Sequence, residues 1–188
     1  DSHVETGNGL IDTATDKAGA DAALEATNIK IVEVMNRAAL MDYQALCNSW
    51  LDAYANTAKE NIEALVISDA EKTALKGKVD DAVTSGKAAI AQATDEDGAD
   101  GALQDAVDSI DAVKEEGTVL AFAAYQAQQS SDLDTYANTA KDNIEALVIS
   151  ETEKTTLKGK VDEAVASGKA AIAQATDKKG VDEALQST

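Results

Sequence analysis

The sequence lacks proline entirely, and it has one cysteine, one histidine and only 3% aromatic residues. Without proline, no position forces a break in a long helix. The lone Cys47 excludes an intramolecular disulfide, and such a cysteine is typically a small buried apolar residue. The lone histidine, His3, stands at the start of the sequence, so a histidine-based catalytic triad is excluded. We therefore expect no enzyme and no cofactor.

Positive charge is also scarce. Lys and Arg number 16 against 35 Asp and Glu, which gives a formal net charge of −19. Nucleic-acid backbones and anionic membrane surfaces attract basic proteins, so both are excluded as partners. No run of about 18 apolar residues is present, so we expect no membrane insertion. No signal peptide or anchoring tail is visible, and because the sequence begins inside a repeat, we expect it to be a fragment of a longer protein.

What the sequence does contain is an internal repeat. The stretch Ile90–Leu103 recurs as Ile172–Leu185, 82 residues later, and more loosely as Ile11–Leu24, 79 residues earlier. Over the longer segments 51–106 and 133–188, 43 of 56 positions are identical. Similarity over a whole period indicates stacked modules in which neighbours complete each other's cores.

Two long helices are predicted from the spacing of apolar residues. Steps of three, four and seven residues predict one amphipathic helix over about 18–66 and another over about 99–148. The nearly continuous apolar seam of the first comprises Leu24, Ile31, Met35, Ala39, Tyr43, Leu46, Trp50, Tyr54, Ala58, Ile62 and Leu65. At 1.5 Å per residue the first helix would be roughly 70 Å long, too long for a single compact core.

Shorter helices alternate with the long ones. They are predicted over about 69–94 and 151–176, after a short opening helix that ends near Thr15. Ser68–Glu71 and Ser150–Glu153 have the pattern of capping boxes, which would start the two short helices.

These helices predict an all-α architecture. Half of one long helix, a short helix and half of the next long helix give three comparable antiparallel helices. We therefore predict tandem three-helix bundles that share long continuous helices and form an elongated rod. The predicted domains are a truncated helical bundle (1–41), a central three-helix repeat (42–124) and a second three-helix repeat truncated at its last helix (125–188).

A family resemblance is carried by the most repetitive segments. Ala58–Ile62, Glu71–Lys72, Ala88–Thr94 and Asp100–Ala102 resemble the short helical repeats of very large Gram-positive cell-wall surface proteins. Those repeats form a domain of unknown function found beside FIVAR repeats. The second copy matches better, because Gly180–Ala184 carries the Val-Asp-x-x-Ala ending. The resemblance implies three-helix modules in a surface rod, often in adhesins, with no catalytic residues.

One acidic turn, Asp95–Asp100, is a candidate calcium-binding loop. An EF-hand loop has Gly at position 6 and Glu at position 12, whereas here Gly98 comes fourth and the loop is too short. The next repeat replaces two of the acids with Lys178 and Lys179. We therefore expect no metal site, and we interpret the turn as a helix stop followed by an acidic helix start.

The two copies differ most at one junction. Leu46–Trp50 stands where the second copy has Gln128–Asp132. Trp50 falls on the apolar seam, which favours packing in the core. Tyr54 and Tyr136 recur at equivalent positions, as do Tyr43 and Tyr125, and this predicts packed rings with hydroxyls at the rim. The alternative is an interaction surface that includes Trp50, Tyr54 and Tyr136.

The function that this sequence predicts is a non-catalytic structural stalk or spacer repeat. It would project a distal domain from the cell wall of a Gram-positive bacterium, with neighbouring repeats of the same chain as its partners. The alternative is an adhesive helical module that binds a host serum or matrix protein. A third option is a self-associating fibre.

Overall fold

The computed structural model describes residues 2–186, and all regular secondary structure in that range is helical. The helices are α1 (Ser2–Asp12), α2 (Lys17–Glu63), α3 (Asp69–Gln92), α4 (Glu96–Glu145), α5 (Glu151–Gln174) and α6 (Lys178–Gln186). The predicted all-α class and the alternation of long and short helices are confirmed. Residue 1 and residues 187–188, which belong to the predicted terminal domains, lie outside the described range.

The long helices end slightly earlier than predicted. After Glu63, the amide of Leu65 donates to the Ile62 carbonyl, three residues back, at 3.1 Å. Leu147 makes the equivalent bond to Ile144 after α4, at 3.2 Å. Such three-residue bonds tighten the last turn and leave the following residues outside the helix.

Three helices begin with an aspartate cap. Asp16, Asp95 and Asp177 immediately precede α2, α4 and α6, and the Oδ1 atom of each accepts a hydrogen bond from the amide three residues later. The distances are 2.8, 2.8 and 2.7 Å. An aspartate at this position satisfies a free amide and complements the helix dipole. The cap at Asp95 explains why α4 begins at Glu96, before the predicted start.

The short helices α3 and α5 begin with the two predicted capping boxes. Ser68 Oγ accepts from the Glu71 amide at 3.3 Å, and Glu71 Oε2 accepts from the Ser68 amide at 2.8 Å. Ser150 and Glu153 repeat both bonds at 3.3 and 2.9 Å. Each box satisfies two backbone donors that the first helical turn leaves free.

The chain divides into two compact units. Unit 1 contains the described residues up to Ala58 together with Lys78–Asp111. In it, Gly86 of α3 lies so close to α4 and α2 that a Cβ there would be 2.5 Å from Ala106 Cβ and 3.0 Å from Leu51 Cδ2. The absence of a side chain at Gly86 therefore allows the three helices to pack closely here. The buried apolar side chains of this unit are Cys47, Leu51, Ala55, Ala58, Val79, Ile90, Ala99, Ala106, Val107 and Ile110.

Unit 2 contains Lys59–Gly77 together with the described residues from Ala112 onward. Gly117 of α4 is close-packed here, with a Cβ position 2.8 Å from Leu65 Cδ1 and 3.2 Å from Leu75 Cδ1. A cluster of Ile172, Val181 and Ala184 is covered by Phe122, Tyr125, Leu133, Ala175 and Leu185.

The predicted seam of α2 is wrong over the first half of the helix, and also at Leu46 and Trp50. Leu24 and Met35 are exposed, whereas the buried residues of α2 start at Cys47. The contact of α1 with α2 is made at Thr27, a residue outside the predicted seam, where a Cβ at Gly7 would lie 2.3 Å from Thr27 Oγ1. Within residues 2–186, no helix combines the length and the apolar character needed to cross a lipid bilayer.

Candidate interaction surface

Two tyrosines of α2 are fixed by carboxylates of α4 in unit 1. The hydroxyl of Tyr43 donates to Asp100 Oδ1 at 2.6 Å, and that of Tyr54 donates to Asp111 Oδ1 at 2.5 Å. Both pairs are 57 residues apart in sequence, so α2 and α4 run parallel here. The bond to Asp100 raises the pKa of Tyr43 to about 12, with smaller contributions from burial and from the negative charge of Asp100. The predicted placement of these hydroxyls at the rim is confirmed.

Trp50 does not pack in the core, so that prediction is wrong. The residue is 50% exposed, and its ring stacks on the Tyr54 ring with centroids 5.3 Å apart and planes 11° apart. The buried face of α2 is formed by Cys47, Leu51 and Ala55. Each residue turns the helix by about 100°, so Trp50 points away from the buried direction of Leu51. A spacing of three and four residues fits either Trp50 or Leu51 as the buried residue. In the structure the buried residue is Leu51.

Leu46 extends the exposed apolar surface by one helical turn. It lies four residues before Trp50 on α2, and it is 65% exposed. Residues four apart lie on one side of a helix. Leu46, Trp50 and Tyr54 therefore form one continuous line, here called the aromatic ridge.

A line of polar residues on α4 accompanies the aromatic ridge. Asp100 and Asp111 mark its ends through their bonds to Tyr43 and Tyr54. Gln104 and Asp108 lie between these two, on the same side of α4, and Gln104 Nε2 donates to Asp108 Oδ1 at 2.7 Å. All of these α4 residues are exposed. Asp100, Asp108 and Asp111 are here called the acidic row.

The second repeat builds the same framework in unit 2. Tyr125 donates to Asp182 Oδ1 at 2.5 Å, again 57 residues later. Gln126 Nε2 donates to the carbonyls of Ile172 and Ala175 at 2.8 and 3.2 Å. Gln44 makes the equivalent bonds to Ile90 and Ala93 in unit 1 at 2.9 and 3.1 Å.

The surface above this framework differs between the copies. The second repeat carries Gln128 and Asp132 where the first has Leu46 and Trp50. Both of these polar residues are exposed, and Gln128 Nε2 donates to Asp132 Oδ1 at 2.8 Å. The framework contacts therefore form without any apolar residue at these two positions.

Tyr136 stands apart from the other candidate residues. It lies in unit 2, and it is 75% exposed, so the prediction that its ring is packed is wrong. Its counterpart Tyr54 instead donates a hydrogen bond to Asp111 in unit 1. The structure thus brings Trp50 and Tyr54 together in unit 1 and assigns Tyr136 to the other unit.

Cys47 is buried beside the aromatic ridge, as predicted. It is 4% exposed, and burial is the main cause that raises the pKa of its thiol. A protonated, covered thiol is a poor nucleophile. Among residues 2–186, no group of three or more His, Cys, Asp or Glu side chains is arranged to hold a metal ion.

Leu46 and the acidic row were not identified as site residues from the sequence. The signal that could have found Asp100 and Asp111 is the constant separation of 57 residues, which links a tyrosine to an aspartate three times.

No family model, curated protein or solved structure matches this chain.

Proposed function

We propose that this chain is a non-catalytic spacer, built from three-helix bundles that share their long helices. The observation that carries the proposal is the repetition of interhelical contacts at constant sequence separation. Tyrosine–aspartate bonds span 57 residues in both copies. Glutamine–carbonyl bonds span 46 and 49 residues in both. Such repetition is typical of modules that add one after another along a chain.

Ion pairs repeat in the same way. Lys87 binds Asp52 at 2.7 Å and Lys169 binds Asp134 at 2.5 Å, each pair separated by 35 residues. These pairs are exposed, so each contributes little stability alone. Their value to the proposal is geometric, because they set the same orientation of a short helix against a long one in each copy.

The continuity of the long helices supports the sharing of helices between bundles. The division between the two units falls inside α2 after Ala58, inside α3 after Gly77 and inside α4 after Asp111. Each long helix therefore contributes residues to both units. In the proposal, each long helix runs from one bundle into the next. Consecutive bundles are then joined by continuous helix instead of a flexible linker. The proposed repeats meet between residues 41 and 42 and between residues 124 and 125.

The place of action is proposed to be the cell wall of a Gram-positive bacterium. The support is the resemblance of segments such as Ala88–Thr94 to repeats of large surface proteins. The net charge of −19 agrees with a spacer, because self-repulsion opposes collapse and association.

Small-angle X-ray scattering of the chain tests this proposal. A compact protein of 188 residues has a radius of gyration of about 16 Å. The proposed rod requires a clearly larger value and a pair-distance distribution with a long tail. A symmetric distribution with a radius near about 16 Å would contradict it.

A further inference from the structure

We propose that the aromatic ridge and the acidic row together bind a basic amphipathic peptide segment of another protein. The proposal goes beyond the spacer function and does not depend on it. It rests on unit 1 alone, where Leu46, Trp50 and Tyr54 stand on α2 and Asp100, Asp108 and Asp111 stand on α4.

The fold does not require the apolar residues of the ridge. The second repeat forms one of the two tyrosine–aspartate bonds, Tyr125 to Asp182, and both glutamine–carbonyl bonds. It does so with Gln128 and Asp132 at the positions of Leu46 and Trp50. Leaving a large apolar side chain in water gains no burial energy. Leu46 and the only tryptophan of the chain are therefore placed on this surface without a packing reason.

The ridge is ordered before any partner arrives. Trp50 stacks on Tyr54, and Tyr54 is held by its hydrogen bond to Asp111. Aromatic side chains that are already fixed lose little conformational entropy on binding. Trp and Tyr are also the residues that most often dominate the binding energy of an interface.

The neighbouring charges define the chemistry of the partner. Carboxylates at the positions of Asp100, Asp108 and Asp111 attract Lys or Arg side chains, and the exposed face of an indole accepts such a cation as well. The apolar part of the ridge requires an apolar residue on the same segment. A second copy of this chain is disfavoured as the occupant, because each copy carries a net charge of −19.

The size of the surface sets the length of the segment. From Leu46 to Tyr54 the ridge rises by about 12 Å along α2, or a little over two helical turns. A helix of about three to four turns with Leu on one side and Arg on the flanks covers that length. Binding in this mode buries the apolar line of the ridge beside the acidic row.

The experiment uses the whole chain and a synthetic peptide of about 14 residues, composed of Leu and Arg in helical spacing and free of Trp and Tyr. Because Trp50 is the only tryptophan, its fluorescence reports directly on the ridge. At physiological salt we expect a saturable shift of Trp50 emission to shorter wavelength. We also expect saturable anisotropy of the fluorescein-labelled peptide.

The variants separate docking from simple charge attraction. Trp50→Asp, and the pair Leu46→Gln with Trp50→Asp, copy the residues of the second repeat, so folding is retained, as circular dichroism will verify. The aspartate adds negative charge, yet we expect at least about tenfold weaker peptide binding by anisotropy. Tyr136→Ala is the matched control, because this exposed tyrosine of unit 2 lies outside the ridge, and we expect unchanged affinity.

Three results would overturn the proposal. The first is equal or tighter peptide binding by Trp50→Asp, which shows attraction by net charge alone. The second is peptide binding that leaves the Trp50 emission unchanged. The third is a blue shift of Trp50 emission on raising the concentration of the protein without peptide, which assigns the ridge to a second copy. None of these results bears on the spacer, whose test is the scattering curve.

Discussion

The hydroxyl of Tyr43 and the carboxylate of Asp100 are joined by a 2.6 Å hydrogen bond across 57 residues of sequence. The same bond joins Tyr125 to Asp182 at 2.5 Å in the second repeat. The first bond joins α2 to α4, which run parallel, and the second joins α4 to α6. These pairs fix the register of the helices, and they also make that register sensitive to the protonation of tyrosine.

The first prediction concerns high pH. The bond to Asp100 raises the pKa of Tyr43 from 10.0 to about 12, so the folded state keeps a proton that the unfolded state has lost. The stability from this pair is complete below pH 10 and is lost as the pH rises towards 12. Ultraviolet titration of tyrosinate should show a late component that Tyr43→Phe reduces. A parent protein whose tyrosines all titrate near the ordinary pKa of 10.0 would contradict this assignment.

The second prediction concerns low pH and the capping box of α3. The Ser68 hydroxyl and amide, which bond to the Glu71 carboxylate, hold the pKa of Glu71 below its usual value of 4.5. The stabilisation is therefore present above that pH and is lost as the pH falls through the lowered pKa. We expect Glu71→Gln to have a lower melting temperature than the parent at neutral pH, with the difference shrinking on acidification. A difference that stays constant with pH would exclude a role for the charge.

The third prediction concerns Ser68 itself. Its Oγ accepts from the Glu71 amide at 3.3 Å, and replacement by alanine leaves that amide without its cap. We expect Ser68→Ala to lower the free energy of unfolding by about 1 kcal/mol in urea denaturation. Ser109→Ala is the control, because the Ser109 hydroxyl donates to the Asp105 carbonyl in the interior of α4 and caps no helix. A loss no larger than that of the control would show that the box contributes little.

The fourth prediction contrasts two glycines of α3. A Cβ at Gly86 would lie 2.5 Å from Ala106 Cβ, so Gly86→Ala forces two helices apart and should destabilise by about 1–3 kcal/mol. A Cβ at Gly77 would meet nothing within 4 Å. Gly77→Ala should therefore stabilise by about 0.5–1 kcal/mol through helix propensity. Chemical denaturation of both variants checks the opposite signs, and equal effects would contradict the packing at Gly86.

The fifth prediction contrasts two neighbours on α2. Leu51 is fully buried, so Leu51→Ala should cost about 2–5 kcal/mol of unfolding free energy. Asp52 binds Lys87 at the surface, and Asp52→Asn should cost less than about 1 kcal/mol. Calorimetry of the two variants gives the ranking. An Asp52 variant that is as unstable as the Leu51 variant would show that the ion pair is more than a surface contact.

Local signals in the sequence predicted much of the fold. The capping boxes at Ser68 and Ser150 depend on two residues three positions apart, so they can be read without knowing the tertiary structure. Absence of proline and a recurring period were enough to predict long helices in alternation with short ones.

The candidate surface could not be predicted in the same way. Trp50 and Leu51 are adjacent, and a spacing of threes and fours accepts either of them as the buried residue. The packing of α2 against its neighbouring helices decides which of the two is buried, and Leu51 lies beside Gly86 of α3. Tyr136 shows the other difficulty, because it repeats Tyr54 in the sequence and yet is 75% exposed.

The most direct test of the spacer is to lengthen the chain by whole repeats. Residue 133 is equivalent to residue 51, so a further copy of 51–132 can be inserted after residue 132 without a break in the period. A long helix of 50 residues and a return helix of 24 residues give a net advance of about 40 Å per repeat. We expect the maximum dimension from small-angle scattering to increase by that amount with each inserted copy. Growth with only the cube root of chain length would show that the repeats collapse onto one another and would contradict the account.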